Sequence, residues 1–311
     1  MELRHLRYFL AVAEELHFGR AAARLHISQP PLSQQIRALE DEAGVQLFRR
    51  GTRHVALTPA GVEFVKYARA ALSQVEQGLD SAQRVHRGEV GRLSVGFITS
   101  MAYTYLPWVV TVFRQRYPLV ELVLTEQESW NQLRALQEHR LDVGIVRGPV
   151  EAQGVEAHLA LDEAFVVALP ADHPLAKQRT VKLWALAREP FILFARAIGG
   201  RFYDAVYSLF EKAGFTPVVA QEAVQMHVAV GLVSARLGAA IVPASVQLLS
   251  MPGVVYRPLN DRGASAQLAV AHASDNNSPV VPTFRQAAIE VISGGIDAVR
   301  AWRNETSRSE S

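Results

Sequence analysis

Two adjacent prolines, Pro30 and Pro31, leave few structures open to the stretch Phe18 to Leu39. Proline lacks an N–H and clashes with the preceding turn, so a helix tolerates it only in its first turn. A helix therefore has to start at Gln29, with Ser28 as its N-cap and the Ser28 hydroxyl free to accept a backbone N–H, and run to about Glu40. Just upstream, Ala21, Ala22 and Ala23 build a shorter helix from about Gly19 to Leu25, since alanine is the strongest helix former and allows close packing. The stretch reads as two short helices joined by a tight turn.

The second helix has two unlike faces. Leu32, Ile36 and Leu39 fall at i, i+4 and i+7 and form one apolar stripe. Gln29, Ser33, Gln34 and Arg37 point the other way, with Ser28, Pro30 and Pro31 at the helix entry. Gln and Arg make bidentate contacts to adenine and guanine edges in a major groove. A generic pair of surface helices would carry a Lys/Glu mix instead; the composition found here suits a helix-turn-helix that reads DNA.

Beyond Gly44, two apolar runs flank a cationic tip with a glycine in it, Phe48-Arg49-Arg50-Gly51-Thr52-Arg53-His54-Val55, the pattern of a hairpin with a short loop. Arg49, Arg50 and Arg53 cluster there without a compensating acid, which suits phosphate or minor-groove contact by a wing.

These motifs together resemble the DNA-binding domain of the LysR-type transcriptional regulators. The residues that carry the resemblance are Leu6-Arg7-Tyr8-Phe9, Ala21 to Ser33, Leu39-Glu40, Gly44 to Arg50 and Leu57-Thr58-Pro59-Ala60-Gly61. The match runs over residues 1–60 without a gap.

From Leu3 to Glu15, Leu6, Phe9, Leu10 and Ala13 make the stripe of a supporting helix. Thr58-Pro59 then opens a helix that reaches about Arg87 with no internal proline. Val65, Ala68, Leu72, Val75, Leu79 and Ala82 recur at alternating spacings of three and four, a coiled-coil seam that predicts a dimerisation helix. Over one or two turns the same spacing also fits a helix lying on its own domain. Gly88-Glu89-Val90-Gly91 reads as a hinge.

After the hinge, strands and helices alternate, which implies an α/β region with a mostly parallel sheet. Strands are expected at Leu93 to Phe97, Glu121 to Thr125, Val143 to Val146, Phe165 to Leu169, Phe191 to Phe194, Val218 to Gln221, Ala239 to Val242 and Gln267 to Ala271. Helices are expected at Leu106 to Tyr117, Gln132 to His139, Val181 to Ala187, Phe202 to Ala213, Gln225 to Leu237 and about Thr283 to Trp302. The family resemblance implies that these elements form a two-lobed effector domain like the periplasmic solute-binding proteins.

The expected organisation is thus a winged helix-turn-helix at 1–58, a linker helix at 59–87, a hinge at 88–91 and an effector domain at 92–303. Lobe I takes about 92–160 and 266–303, lobe II about 161–265, and a disordered polar tail closes the chain at 304–311.

Ligands of open α/β sheets bind beyond the carboxyl ends of the strands. Thr99 and Ser100 follow the first strand of this region, Ser129 the second, and Arg147 ends the third. Arg196, Arg201 and Phe202, with Tyr203, belong to the facing stretch of lobe II. Matching positions in the resembled family line the effector cleft, so an organic acid, aromatic in view of Phe202 and Tyr203, is expected against Ser100, Ser129 and an arginine. The alternative is local: Ser100 and Ser129 as helix caps, Arg147 in a structural ion pair. Glu126 and Glu128 nearby argue against an uncomplicated anion site.

Composition sets the remaining limits. With 32 Lys and Arg against 30 Asp and Glu, net charge is only +2, so DNA affinity has to come from a local patch. The absence of cysteine removes disulfides and thiolate chemistry. No Gly-x-Ser-x-Gly elbow, dinucleotide loop or Walker loop is present, so no enzyme is expected. The ten histidines are dispersed with no pair at metal-ligand spacing, so neither metal nor cofactor is expected. The N-terminal Met-Glu-Leu-Arg-His-Leu-Arg lacks the apolar core of a signal peptide, and no apolar run approaches 18 residues. A cytoplasmic location is expected. Expected partners are double-stranded promoter DNA, a small-molecule effector and a second copy of the chain; the resemblance adds a tetramer and RNA polymerase.

Overall fold

The structure, a computed structural model, describes residues 1–51, 55–260 and 265–309. Arg53 lies outside them, as do the side chains of Arg50, Arg196 and Arg201. The chain forms two compact units, Met1–Arg84 and Val85–Ser311.

In the first unit, helices α1 (Leu3–Glu15), α2 (Phe18–Arg24) and α3 (Gln29–Ala43) precede a two-stranded hairpin, β1 (Phe48–Arg50) and β2 (Val55–Leu57), and helix α4 (Pro59–His86). The prolines do open α3, but Ser28 makes no side-chain cap; the capping side chain in this region is His17, whose Nδ1 accepts the Gly19 and Arg20 N–H groups. Leu32, Ile36 and Leu39 are buried, as their spacing predicts. They join a core in which the Phe48 ring lies 5.3 Å from Phe9 and 6.0 Å from Phe18.

Two polar devices lock the hairpin to the helices. Glu40, 8% exposed, accepts the N–H groups of Leu47 and Phe48 on Oε1 at 2.9 and 3.0 Å. Thr58 donates its hydroxyl to the Gln46 carbonyl at 2.7 Å and accepts the Gly61 N–H at 2.9 Å, capping α4. Gly61 is required by this close approach, since a Cβ there would stand 2.1 Å from the Leu47 carbonyl oxygen.

The α4 seam divides. Ala68 is 1% exposed and Val65 and Leu72 pack beside it on the core of their own unit, while Val75, Leu79 and Ala82 are exposed. Up to Leu72 the seam packs on the core of its own unit, with Ala68 buried there, and only the part beyond Leu72 is left exposed.

In the second unit, β3 (Val90–Phe97), α5 (Leu106–Arg116), β4 (Leu119–Glu126), α6 (Ser129–Gln137), β5 (Val143–Arg147) and β6 (Val155–Glu163) follow in order. The chain then forms β7 (Phe165–Pro170), β8 (Pro190–Phe194), α7 (Arg196–Ala213), β9 (Val218–Ala223), α8 (Met226–Ser234), β10 (Ala240–Pro243) and β11 (Val254–Pro258). It returns as β12 (Ala266–Ala273), α9 (Val280–Ser293) and α10 (Gly295–Ser309). The first lobe is one sheet in the order β4-β3-β5-β12-β6. The second lobe has β10-β7-β11 and the pair β8-β9, joined where the Ile192 N–H reaches the Ala239 carbonyl at 2.8 Å.

Several expectations are corrected. The first sheet is mixed: β3 pairs parallel with β4 and β5, but β12 runs antiparallel to β5 and β6. A parallel neighbour needs a crossover connection, whereas β6 leaves for the other lobe and β12 returns from it directly. β6 and β11 have no counterpart among the expected strands, and β6 is an edge strand whose burial does not alternate cleanly. Val90 and Gly91 of the expected hinge pair with Leu119 and Val120 inside the sheet. The helix expected at Val181 to Ala187 is a single 3-10 turn, Leu183–Leu186, and the last helix breaks at Gly294 and Gly295. α10 continues to Ser309, past the expected start of the tail at Asn304.

Removing the Glu40 carboxylate leaves two buried N–H groups unpaired, each worth about 1–3 kcal/mol. Glu40→Ala is expected to speed hydrogen exchange at Leu47 and Phe48 selectively, and Glu40→Gln to restore much of the protection; equal exchange in all three proteins would remove Glu40 as the anchor.

Candidate functional site

In the first unit, α3 presents its polar face outward. Gln29, Pro30, Pro31, Gln34 and Arg37 are exposed and Ser33 is half-buried, with Ser28 exposed just ahead of the helix. Arg49, on β1, is exposed as well. The helix that carries these groups is fixed from behind by three buried side chains and from the side by Glu40, so hydrogen-bonding groups are displayed on a rigid element.

The second unit contains a cavity of about 260 Å³ between its lobes. Of the eight residues expected near a ligand, Thr99, Ser100, Ser129, Arg147 and Phe202 line it; the side chains of Arg196 and Arg201 fall outside the described residues, and Tyr203 is not part of the lining.

They come from four different elements. Ser100 lies in the 3-10 turn Thr99–Tyr103 after β3, Ser129 opens α6 after β4, and Arg147 ends β5. Gly96 and Gly144 let α6 sit this close to the sheet, since a Cβ on either would stand 2.9 Å from Gln132 Oε1. Phe202 approaches from α7, whose backbone turns sharply at Gly200 (φ 22°, ψ −99°), a conformation open to glycine. Gly200 itself lines the cavity.

The local readings of these residues turn out to be partly true. Arg147 does form an ion pair: Nη1 donates to Glu163 Oε1 at 2.9 Å, with the two side chains 11% and 4% exposed. Arg147 Nη2 also reaches Ser100 Oγ at 3.4 Å, and its guanidinium carbon stands 5.9 Å from the Phe202 ring centre. Its Nε is buried without a hydrogen-bond partner among the described residues. Ser129 is the first residue of α6 and not its cap; its Oγ accepts the Arg147 N–H at 3.0 Å. The cap position is Glu128, which makes no side-chain cap. Ser100 sits inside its 3-10 turn and likewise caps nothing.

Charge in the cavity is finely divided. Burial, and then the nearby Glu126 carboxylate, raise the Glu128 carboxyl above its usual range. Thr99 donates its hydroxyl to Glu126 at 2.6 Å. Burial also raises the phenols of Tyr103, Tyr105 and Tyr256, the last to about 12, so they stay neutral at ordinary pH and Glu163 carries the counter-charge of Arg147.

The apolar wall is Ile98 and Phe194, which stand at the expected strand ends, together with Trp130, Leu133 and Met226, which the expectation missed. Phe194 and Phe202 rings meet edge to face at 5.3 Å. Tyr203, expected near the ligand, instead stacks on Tyr207 at 4.0 Å and is not part of the lining. The strand-end rule that picked out Ser100 and Ser129 applies equally to the β9–α8 junction, and there it points to Gln225 and Met226.

Both units match known families. Residues 3–62 match the model of the bacterial regulatory helix-turn-helix protein, LysR family, and residues 86–293 that of the LysR substrate binding domain. The HTH-type transcriptional regulator AlsR of Bacillus subtilis is 41% identical over 91% of this chain and 94% of its own length. BenM of Acinetobacter baylyi is 37% identical over 87% of this chain and 90% of its own. The crystal structure of CbnR, a LysR family transcriptional regulator, superposes with a TM-score of 0.79 at 31% identity, covering 93% of this chain and all (100%) of that one. Full-length CbnR in complex with its target DNA gives 0.75 at 30% identity.

The ion pair makes a sharp stability prediction. Breaking a buried pair by removing one partner costs about 3–5 kcal/mol, because the other charge stays buried. Arg147→Met is expected to lower the urea midpoint of the second unit accordingly, and Ser100→Ala to leave it nearly unchanged; a stable Arg147→Met protein would show that Glu163 is not held by this pair.

Proposed function

Because the chain belongs to the LysR family of transcriptional regulators, we propose that it reads promoter DNA through the outer face of α3 and is switched by a small organic anion held between the lobes of its second unit. The observation that carries the switch is Arg147, which lines the cavity with a buried Nε that no acceptor among the described residues fills. Ser100, Ser129 and the uncapped first turn of α6 stand in the same lining, a helix N-terminus with hydroxyl donors beside it. Phe202, Phe194 and Trp130 favour an anion with a flat apolar body.

On the DNA side, Ser28, Gln29, Pro30, Pro31, Ser33, Gln34 and Arg37 supply the reading surface, while Arg49, Arg50 and Arg53 meet the phosphates. The exposed end of the α4 seam, Val75, Leu79 and Ala82, supports pairing of two chains, which sets two readers on two half-sites. A tetramer, contact with RNA polymerase and a cytoplasmic location complete the reading. Among the described residues no helix is long and apolar enough to cross a membrane.

Ligand binding that prefers one lobe arrangement shifts the population of DNA-competent assemblies, and linkage makes the effect mutual. The test is a titration of aromatic and aliphatic carboxylates against the full chain, with and without operator DNA. A carboxylate that binds wild type, loses affinity with Ser100→Ala, and changes operator affinity by the factor by which operator changes its own supports the reading. Binding only of neutral or amine ligands would overturn it.

Two further outcomes are expected. Gln34→Ala and Arg37→Ala should each cost roughly 1–3 kcal/mol on operator DNA and alter base preference, while Arg49→Ala should weaken all DNA alike and lower the salt slope by about one. In the cavity, protonating Glu128 removes a negative charge. Its carboxyl titrates above the usual range, so carboxylate affinity should rise as pH falls through that raised pKa. Glu128→Gln should bind the anion more tightly and flatten this profile; an unchanged profile would place the anion away from Glu128.

A further inference from the structure

The two strands that cross between the lobes carry a second cluster at their other end. In the β6–β12 register Glu156 faces His272 and His158 faces Val270, so Glu156, His158 and His272 share one face of the sheet. The two imidazoles stack with ring centres 5.6 Å apart. Arg285 reaches over them from α9, and its Nη1 lies 3.0 Å from His158 Nε2 and 2.8 Å from His272 Nε2.

Proton bookkeeping fixes what those nitrogens present. Arginine only donates, so both Nε2 atoms accept and carry lone pairs. His272 Nδ1 stands 3.0 Å from the Ala273 carbonyl, which can only accept, so the His272 proton is on Nδ1. Two imidazole lone pairs thus converge on one cationic nitrogen, and the Glu156 carboxylate stands 3.9 Å from His272 Nε2. The three ligand atoms lie within 4.8 Å of one another.

A guanidinium N–H is one occupant of such a point, and a first-row divalent ion is another. Imidazole and carboxylate are ordinary ligands for zinc-class ions, at about 2.0–2.2 Å. We propose that Glu156, His158 and His272 form a binding site for a divalent ion of the zinc class, with Arg285 as the resident cation that the ion displaces. A water completes a four-coordinate shell. Closing the ligand set to bonding distance takes a shift of about 1 Å, which the exposed Glu156 and half-buried His158 can supply. A carbonyl on His272 Nδ1–H is the outer support that orients a metal-bound imidazole. Since Glu163 lies at the opposite end of the same β6–β12 pairing, the ion clips together the two strands that lead to the Arg147 pair.

The site is independent of the cavity reading and is tested without it. Full-length protein, freed of any affinity tag and treated with chelator, is titrated with Zn²⁺ alone by calorimetry, and Co²⁺ absorption reports tetrahedral coordination. One equivalent per chain is expected for wild type, roughly tenfold or greater weakening in His158→Ala, and tighter binding in Arg285→Gln. His158 is half-buried, so its alanine variant is the decisive one if His272→Ala fails to fold; circular dichroism checks that the fold is kept. No binding by wild type overturns the site, whatever Arg285→Gln does. Binding unaffected by His158→Ala places the ion elsewhere and overturns it too, and an Arg285→Gln protein that binds no tighter overturns the displacement.

Discussion

A single carboxylate, that of Glu163, ties the second unit together. It sits at the end of β6, two residues before the chain enters β7 and the second lobe. One oxygen takes Arg147 Nη1 at 2.9 Å and the Ser245 hydroxyl at 3.0 Å; the other takes the Ser245 N–H at 2.7 Å. Arg147 closes β5 in the first lobe and Ser245 follows β10 in the second, so one buried charge gathers both lobes at their crossing point. Burying an ion pair costs several kcal/mol per ion, and attraction offsets that only if the remaining lone pairs are also satisfied. Here they are. The arginine that faces the ligand space is thereby fixed in place before any ligand arrives, which is what a binding site gains from preorganisation.

The first unit solves a smaller version of the same problem. Glu40 is a helix residue with a buried carboxylate, and it holds the first two amides of the wing. Aromatic packing of Phe48 against Phe9 and Phe18 supplies the apolar half of that joint. The outer face of α3 is free to carry glutamines and an arginine because everything that positions the helix lies behind it. Rigid presentation on one unit and a two-walled cavity in the other give the chain the two parts a ligand-controlled DNA reader needs.

Much of this was legible in the chain. The prolines placed the start of α3, the heptad spacing placed its buried stripe, and Thr58-Pro59 placed the start of α4. Strand ends in an α/β alternation led to four side chains, Thr99, Ser100, Ser129 and Arg147, that do line one cavity. Two strands with neither a clean alternation nor a continuous buried run escaped: the edge strand β6 and the short strand β11. The α4 seam shows a different limit. Spacing identified the apolar side of the helix, but whether that side meets its own core or another chain depends on where the helix leaves the domain, and no periodicity carries that.

What the sequence by itself determined is local: which segments are helical, which faces are apolar, and which side chains stand at the ends of strands. Those properties follow from backbone sterics and from burial periodicity, both set within a few residues. Only the tertiary structure decided which distant groups meet. Glu163 and Ser245 are 82 positions apart, and Arg285 lies 127 positions from His158. Ten histidines that look dispersed along the chain include two that stack, because an antiparallel register brings β6 and β12 side by side. Pairing register is a property of the closed sheet, fixed by every strand in it, and so these charges and ligands become neighbours only when the whole fold is formed.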